Sequence, residues 1–300
     1  MLKVNRFKKQ SKSQMELPIG RRREKDRNFS NGGRSFYFFD FDDNIAFLST
    51  VTFVFHKETG DEIALSSGEF ANQSPFIGKS GAFKDYEIRY DDASGTFRMF
   101  RDKDLSKLQR LLGQKQLFEK DLLEALGLPD YKWKGPSWDC FYHAVFNNRP
   151  TALITARGHY PETLKKGIRQ FVNHGFLPHE PNYLGVYPVS NIEVRQGLGA
   201  SANTPISELK QRAIRTAVVK AFDKYGHNPY HRFGMSDDDP KNITLIIEEM
   251  YRLKSEFPDN SFFVIETHKG QFYKREIFKD HMTSKPIKSS PEQLSLFRKS

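Results

Sequence analysis

The chain reads as an α/β protein, a Rossmann-like parallel sheet with helices on both faces that also carries a small α+β insert. Three observations lead there. From residue 150 onward, short apolar runs alternate with long amphipathic stretches, the rhythm of parallel strands joined by crossover helices. The run Phe36-Tyr37-Phe38-Phe39 is aromatic at every position, as a strand covered on both faces requires. It ends in Asp40, Asp42 and Asp43, and parallel sheets place their ligands beyond the C-terminal ends of their strands.

The 300 residues suffice for one large α/β domain or for a core with an insert, and 27 phenylalanines supply a sizeable core. No apolar run is long enough to span a bilayer, so no membrane contact is expected. The basic, polar N-terminus lacks the apolar stretch of a secretory signal. One cysteine, Cys140, excludes an internal disulfide framework and fits a reducing cytoplasm, the expected location. Of the net charge of +10, residues 1–34 hold +8, from eleven Lys or Arg against three acids. The basic character thus belongs to a flexible arm, residues 1–33. Such an arm serves either as a solubilising tail or as an electrostatic contact with nucleic acid phosphates.

The elements follow in order. A strand starts at Ser35. Two β-rich runs around Glu58-Thr59-Gly60-Asp61 predict a hairpin over 50–66. A second hairpin is expected over 86–100, turning at Ala93-Ser94-Gly95. Helical patterns cover 103–112 and 115–127, with Gly127 and Pro129 as stops. Trp138, Phe141, Tyr142 and Val145 share one helix face, with Ser137 as cap. Strands are then expected at 151–156, 182–189, 230–235 and 261–267. Helices are expected at 160–175, at 204–226 with Thr204 as cap and Pro205 first, and at 240–256. Residues 280–300 read as a polar tail.

The carboxylates converge on one rim. Asp40, Asp42 and Asp43 end the first strand, Thr155 ends another, and Asp237, Asp238 and Asp239 end a third. Acids so close stay ionised only around a cation, and oxygen ligands favour a hard ion, Mg²⁺. A calcium loop fails on the residues: counted from Asp40, its glycine position holds Ile45 and its closing glutamate position holds Val51. Asp237 to Asp239 have a plainer reading as helix caps ahead of Pro240.

"FFDFDDNI", "ALITARG", a helix carrying Lys210 and "FGMSDDDPKN" resemble, in order and spacing, the four motifs of the haloacid dehalogenase-like phosphatase superfamily, across residues 35–242. The resemblance implies a core of residues 34–66 and 137–279, with 50–66 as a flap and 67–136 as a cap insert. It implies that Asp40 is the nucleophile and forms an aspartyl-phosphate, and that Asp42 is the general acid and base. Mg²⁺ would be held by Asp40, the Asp42 carbonyl, and Asp237 or Asp238. Thr155 and Lys210 would bind phosphoryl oxygens; Lys220 and Lys224 compete with Lys210. Arg157 is a candidate for substrate contact, and Asn242 supports the fourth motif. Asn44 stands where the family usually has Thr or Val.

Near the C-terminus, Gln293-Leu294-Ser295-Leu296-Phe297 resembles the pentapeptide by which bacterial proteins bind the sliding clamp. Gln14 to Pro18 is a poorer echo. Together with the arm, this segment suggests a phosphatase of unknown phosphorylated substrate recruited to DNA. The rival expectation is a silent adaptor that works through its tails.

Overall fold

The computed structural model describes residues 22–201, 204–267 and 272–286. β1 (Ser35–Phe39) comes first, then a hairpin of β2 (Val51–His56) and β3 (Glu62–Ser66). The next stretch holds α1 (Ser67–Gln73), the two-residue β4 (Tyr86–Glu87), α2 (Lys107–Leu111), α3 (Leu117–Leu126), α4 (Asp130–Trp133) and α5 (Trp138–Phe146). Alternation follows as β5 (Pro150–Thr155), α6 (Pro161–Asn173), β6 (Asn182–Pro188), α7 (Ile192–Gly197), α8 (Ile206–Tyr225), β7 (Arg232–Asp237), α9 (Pro240–Glu256) and β8 (Ser261–Glu266). β9 (Tyr273–Ile277) and β10 (Met282–Pro286) come last.

The main sheet has the order β10-β9-β8-β7-β1-β5-β6. Its pairs from β6 to β8 are parallel, and β9 and β10 add on antiparallel. The chain starts at the centre, steps out to β5 and β6, then returns past β1 to β7 and β8. The direction reverses at β1, which opens a crevice at the C-terminal ends of β1, β5 and β7.

Burial on both faces explains the aromatic run. Phe36 and Phe38 pack with Leu209, Ala213, Ile246 and Met250 of α8 and α9. Phe39 joins Phe118, Phe141 and Phe171 of α3, α5 and α6 on the other side. Each such ring contributes about 1.5–3 kcal/mol by leaving water. Among the described residues no helix is long and apolar enough to cross a membrane.

The expected hairpin at 86–100 does not form. β4 is its only strand, and it pairs with β2. The Asp91 carboxylate accepts the Ala93 and Ser94 N–H groups, which folds the chain into an Asx turn before a strand can propagate. The helix at 103–112 shrinks to α2. The insert 67–136 does not stand apart: Phe118, Leu122, Leu126 and Trp133 are buried in the core cluster with Phe39. α3 lies so close to α6 that a Cβ on Gly167 would sit 2.3 Å from the Phe118 ring.

The termini also differ from expectation. Residues 22–33 are not a free arm. Asp26 pairs with Arg149 at 2.6 Å and accepts the Ser35 N–H, while the Glu24 N–H donates to Asn147. Residues 282–286 of the expected tail form β10. Residues 1–21 and the Gln293, Leu294, Leu296 and Phe297 motif lie outside the described residues. Neither expected hydroxyl cap is made. The Ser137 hydroxyl donates to Asn44 Oδ1 instead, and α8 starts at Ile206 with the Thr204 hydroxyl taken by the Ser201 N–H.

Candidate active site

The turn after β1 is built by Asn44. Asp40 still pairs as sheet, its N–H donating to the Ser236 carbonyl at 2.9 Å. The chain then reverses through Asp43, whose φ of 54° is left-handed. Asn44, fully buried, holds that reversal. Its Nδ2 donates to the Asp40 carbonyl at 3.1 Å and the Ser236 carbonyl at 3.0 Å. Its Oδ1 accepts from the hydroxyls of Ser137, Ser236 and Thr267 at 2.8, 3.2 and 3.0 Å. One side chain thus joins the ends of β1, β7 and β8 to the start of α5. A Thr or Val has no amide to make these bonds.

Three acids converge above this hub. Asp40, Asp237 and Asp238 each offer a carboxylate oxygen within 4.8 Å of the others. Lys210, reaching in from α8, is buried and bonds Asp237 Oδ2 at 2.8 Å and Asp40 Oδ2 at 3.2 Å. Lys220 and Lys224 stand instead over the rings of Tyr187 and Tyr225. Asp237 Oδ1 accepts from the Asp239 N–H at 3.0 Å and Asn242 Nδ2 at 3.3 Å. The capping duty falls to Asp239, whose side chain accepts the Lys241 N–H. The plain capping reading therefore holds for Asp239, while Asp237 and Asp238 face Asp40.

The electrostatics are strained. Burial, then the charges of Asp237, Asp238 and Asp42, hold the Asp40 carboxyl well above the usual carboxylate range against the pull of Lys210. Burial, with Asp237 and Asp43, pushes Asp238 up to about 7. Burial and Asp42 push Asp43 up to about 6. Burial disfavours the charge on Lys210, but Asp237 and Asp40 outweigh it and hold the ammonium above its usual range. Asp40 Oδ1 is buried with no hydrogen-bond partner among the described residues. Three repelling carboxylates and an orphaned oxygen form an oxygen donor set that suits a hard divalent cation.

Asp42 is gripped separately. Arg157 Nε and Nη2 reach Asp42 Oδ1 at 3.0 and 2.6 Å, and Nε reaches Oδ2 at 2.9 Å. Thr155 Oγ1 lies 3.3 Å from Asp42 Oδ2. The guanidinium is fully buried between the rings of Phe100 and Phe118, at 4.7 and 4.8 Å, and also donates to Thr50. Arg157 and Asn242, both expected near substrate, are thus found on carboxylates of the site. Beside the acids a cavity of about 660 Å³ is lined by Asp43, Asp238, Phe47, Leu48, Lys134 and Thr267, with the start of α1 across from them.

The structure brings Asp40, Lys210, Asp237 and Asp238 together, with Asp42 and Thr155 beside them. Sequence reasoning missed the hub of Asn44, Ser137, Ser236 and Thr267, and it missed the cavity wall. The only signal for the hub was a run of small hydroxyl residues at strand and helix ends. A scan of protein-family models, a search of curated proteins and a search of solved structures each return no match.

Proposed function

We propose that the chain is a Mg²⁺-dependent phosphohydrolase of the haloacid dehalogenase-like kind, acting through an aspartyl-phosphate on Asp40. The observation that carries this is the convergence of Asp40, Asp237 and Asp238, each with a carboxylate oxygen within 4.8 Å of the others, beside an Asp40 Oδ1 that has no hydrogen-bond partner among the described residues. Further support comes from the strand order, which sets Asp40 at the point where chain direction reverses.

Asp40, Asp237 and Asp238 would hold the ion together with the Asp42 carbonyl. Bound there, Mg²⁺ supplies charge that lets an anionic nucleophile meet an anionic phosphoryl group. Lys210 adds a fixed positive charge against the same oxygens. Asp40 attacks phosphorus, and the leaving oxygen takes its proton from Asp42, within reach on the same turn. Asp42 then removes a proton from the water that hydrolyses the aspartyl-phosphate. Arg157 and Thr155 fix the bearing of Asp42 while this happens. The cavity beside Asp43 and Asp238 receives the leaving group. Recruitment to a sliding clamp through Gln293 to Phe297 remains part of the proposal, and deletion of residues 291–300 should abolish clamp capture.

The test is turnover of p-nitrophenyl phosphate. Activity requires Mg²⁺, is removed by EDTA, and is lost in Asp40→Asn. Activity in Asp40→Asn equal to that of the unaltered chain would sink the proposal. Absence of turnover on every phosphate ester tried would favour the silent adaptor.

A further inference from the structure

The two faces of β7, β8 and β9 are unlike. Phe233, Met235, Phe262, Val264 and Ile277 turn to α8 and α9 and are buried in the core. Alternation sends Arg232, Gly234, Ser236, Phe263, Lys274 and Glu276 to the other face. On that side α5 packs on β1 and β5, and the core cluster beneath α5 takes no side chain from β7, β8 or β9. Phe263 is nonetheless only 5% exposed. Two cations stand over it: the Arg232 guanidinium is 4.6 Å and the Lys274 ammonium 4.1 Å from the ring centre, with Cys140 of α5 near Lys274. Lys285 of β10 is the cross-strand partner of Lys274 and is exposed. Arg27, exposed on the docked N-terminal segment, lies near enough to disfavour the charge on both Arg232 and Lys274.

We propose that this open sheet face is a docking surface for the phosphate backbone of a nucleic-acid strand. Arg27, Arg232, Lys274 and Lys285 form no ion pair among the described residues; the acids near them are Glu276, the one acid of β7, β8 and β9 on this face, and Asp26, which is paired with Arg149. Like charges facing each other across a ladder destabilise it, so a structural role predicts a neutral or acidic partner opposite Lys274. Covering Phe263 needs only aliphatic stems, which a leucine supplies without repulsion. A row of phosphates satisfies all four cations at once. A bilayer is a poorer fit, because the face's aromatic ring is buried and offers no apolar wedge.

The face leads to the candidate active site. Ser236, two residues beyond Gly234 on the same side, is buried and donates to the Asn44 hub, so the open part of the face ends just short of the acids. Phe263 is level with Gly234, so the basic patch begins about 10 Å from Asp237. A strand lying along the face carries its terminal phosphate to the cavity bordered by Asp238 and Thr267. Docking stands on its own; this delivery of the end rests on the phosphohydrolase reading.

The experiment measures anisotropy of a fluorescein-labelled single-stranded DNA with a 3′-phosphate, added to the full chain carrying Asp40→Asn. A second chain also carries Arg27→Gln, Arg232→Met, Lys274→Met and Lys285→Gln, the methionines keeping Phe263 covered. The expected result is a loss of affinity of at least about tenfold and a salt slope shallower by roughly 2–3. Equal affinity and slope in both chains overturns the proposal. So does loss of binding to phosphatidylserine vesicles with DNA binding intact. Lys274→Glu with Lys285→Glu, confined to the sheet edge, must reproduce the loss; if DNA binding survives it, the proposal fails. With Asp40 restored, the fourfold variant should turn over p-nitrophenyl phosphate normally but release phosphate from the oligonucleotide slowly. Normal binding loss with no turnover by any chain would leave docking standing and remove the phosphohydrolase reading alone.

Discussion

Asp238 is a single carboxyl through which stability would depend on pH and on any cation bound among the acids. Burial and the Asp237 charge lift it from 3.8 to about 7. Between those values the folded protein keeps a proton that the unfolded chain has released. The native state therefore binds more protons, and unfolding free energy falls as pH rises through that window. Asp43, pushed up to about 6, and Asp40 act with the same sign. The metal-free protein should lose Tm from about pH 4 to about pH 7, and Mg²⁺ should restore it at about pH 8 but not at about pH 4, since ligands must be ionised. Asp238→Asn should raise the metal-free Tm at about pH 8 by roughly 2–4 °C and blunt the Mg²⁺ response. Thermal melts at both pH values check this; a lower Tm in the variant would contradict it. In the proposed mechanism Arg157 acts through Asp42, which it holds by three hydrogen bonds. Arg157→Gln should cut kcat about 100-fold with KM nearly unchanged. Arg157→Lys should not rescue it, because an ammonium cannot reproduce the two-pronged grip. Steady-state kinetics of the three proteins decide the matter.

Among elements, α3 packs closely on α6 at Gly167. Gly167→Val would drive side-chain atoms into the Phe118 ring and should cost about 1–3 kcal/mol of stability. Phe118→Leu in the same chain should recover part of it; denaturant unfolding of the single and double variants tests the steric cause. The elements legible in the sequence were those whose signal is local. β1, β5 and β7 announce themselves by an apolar run ending in Asp or Thr. β9 and β10 did not, because their faces are half-exposed and read as polar: Tyr-Lys-Arg-Glu-Ile and Met-Thr-Ser-Lys-Pro. The hairpin at 86–100 was lost to a side-chain turn at Asp91, which competes with the ladder over only four residues. Asn44 could not be read at all, since its partners come from Ser137, Ser236 and Thr267, far along the chain.

At the scale of the molecule, distant segments are pinned by a few buried polar contacts. Asp26 and Arg149 lie 123 residues apart and are each below 10% exposed. Arg149→Met leaves Asp26 buried without its partner and should cost about 3–5 kcal/mol. Adding Asp26→Asn should return much of that loss, as equilibrium unfolding would show. The insert is tied to the core in a comparable way at Phe100, whose carbonyl accepts the Gly158 N–H and whose ring walls one side of Arg157. The opposite wall, Phe118, is itself packed into the core with Phe39 and Phe171. The guanidinium is therefore screened from water by side chains that are already in place. Under the proposed mechanism Asp42 would be aimed before any phosphoester arrives, and no closing movement would be needed to set it.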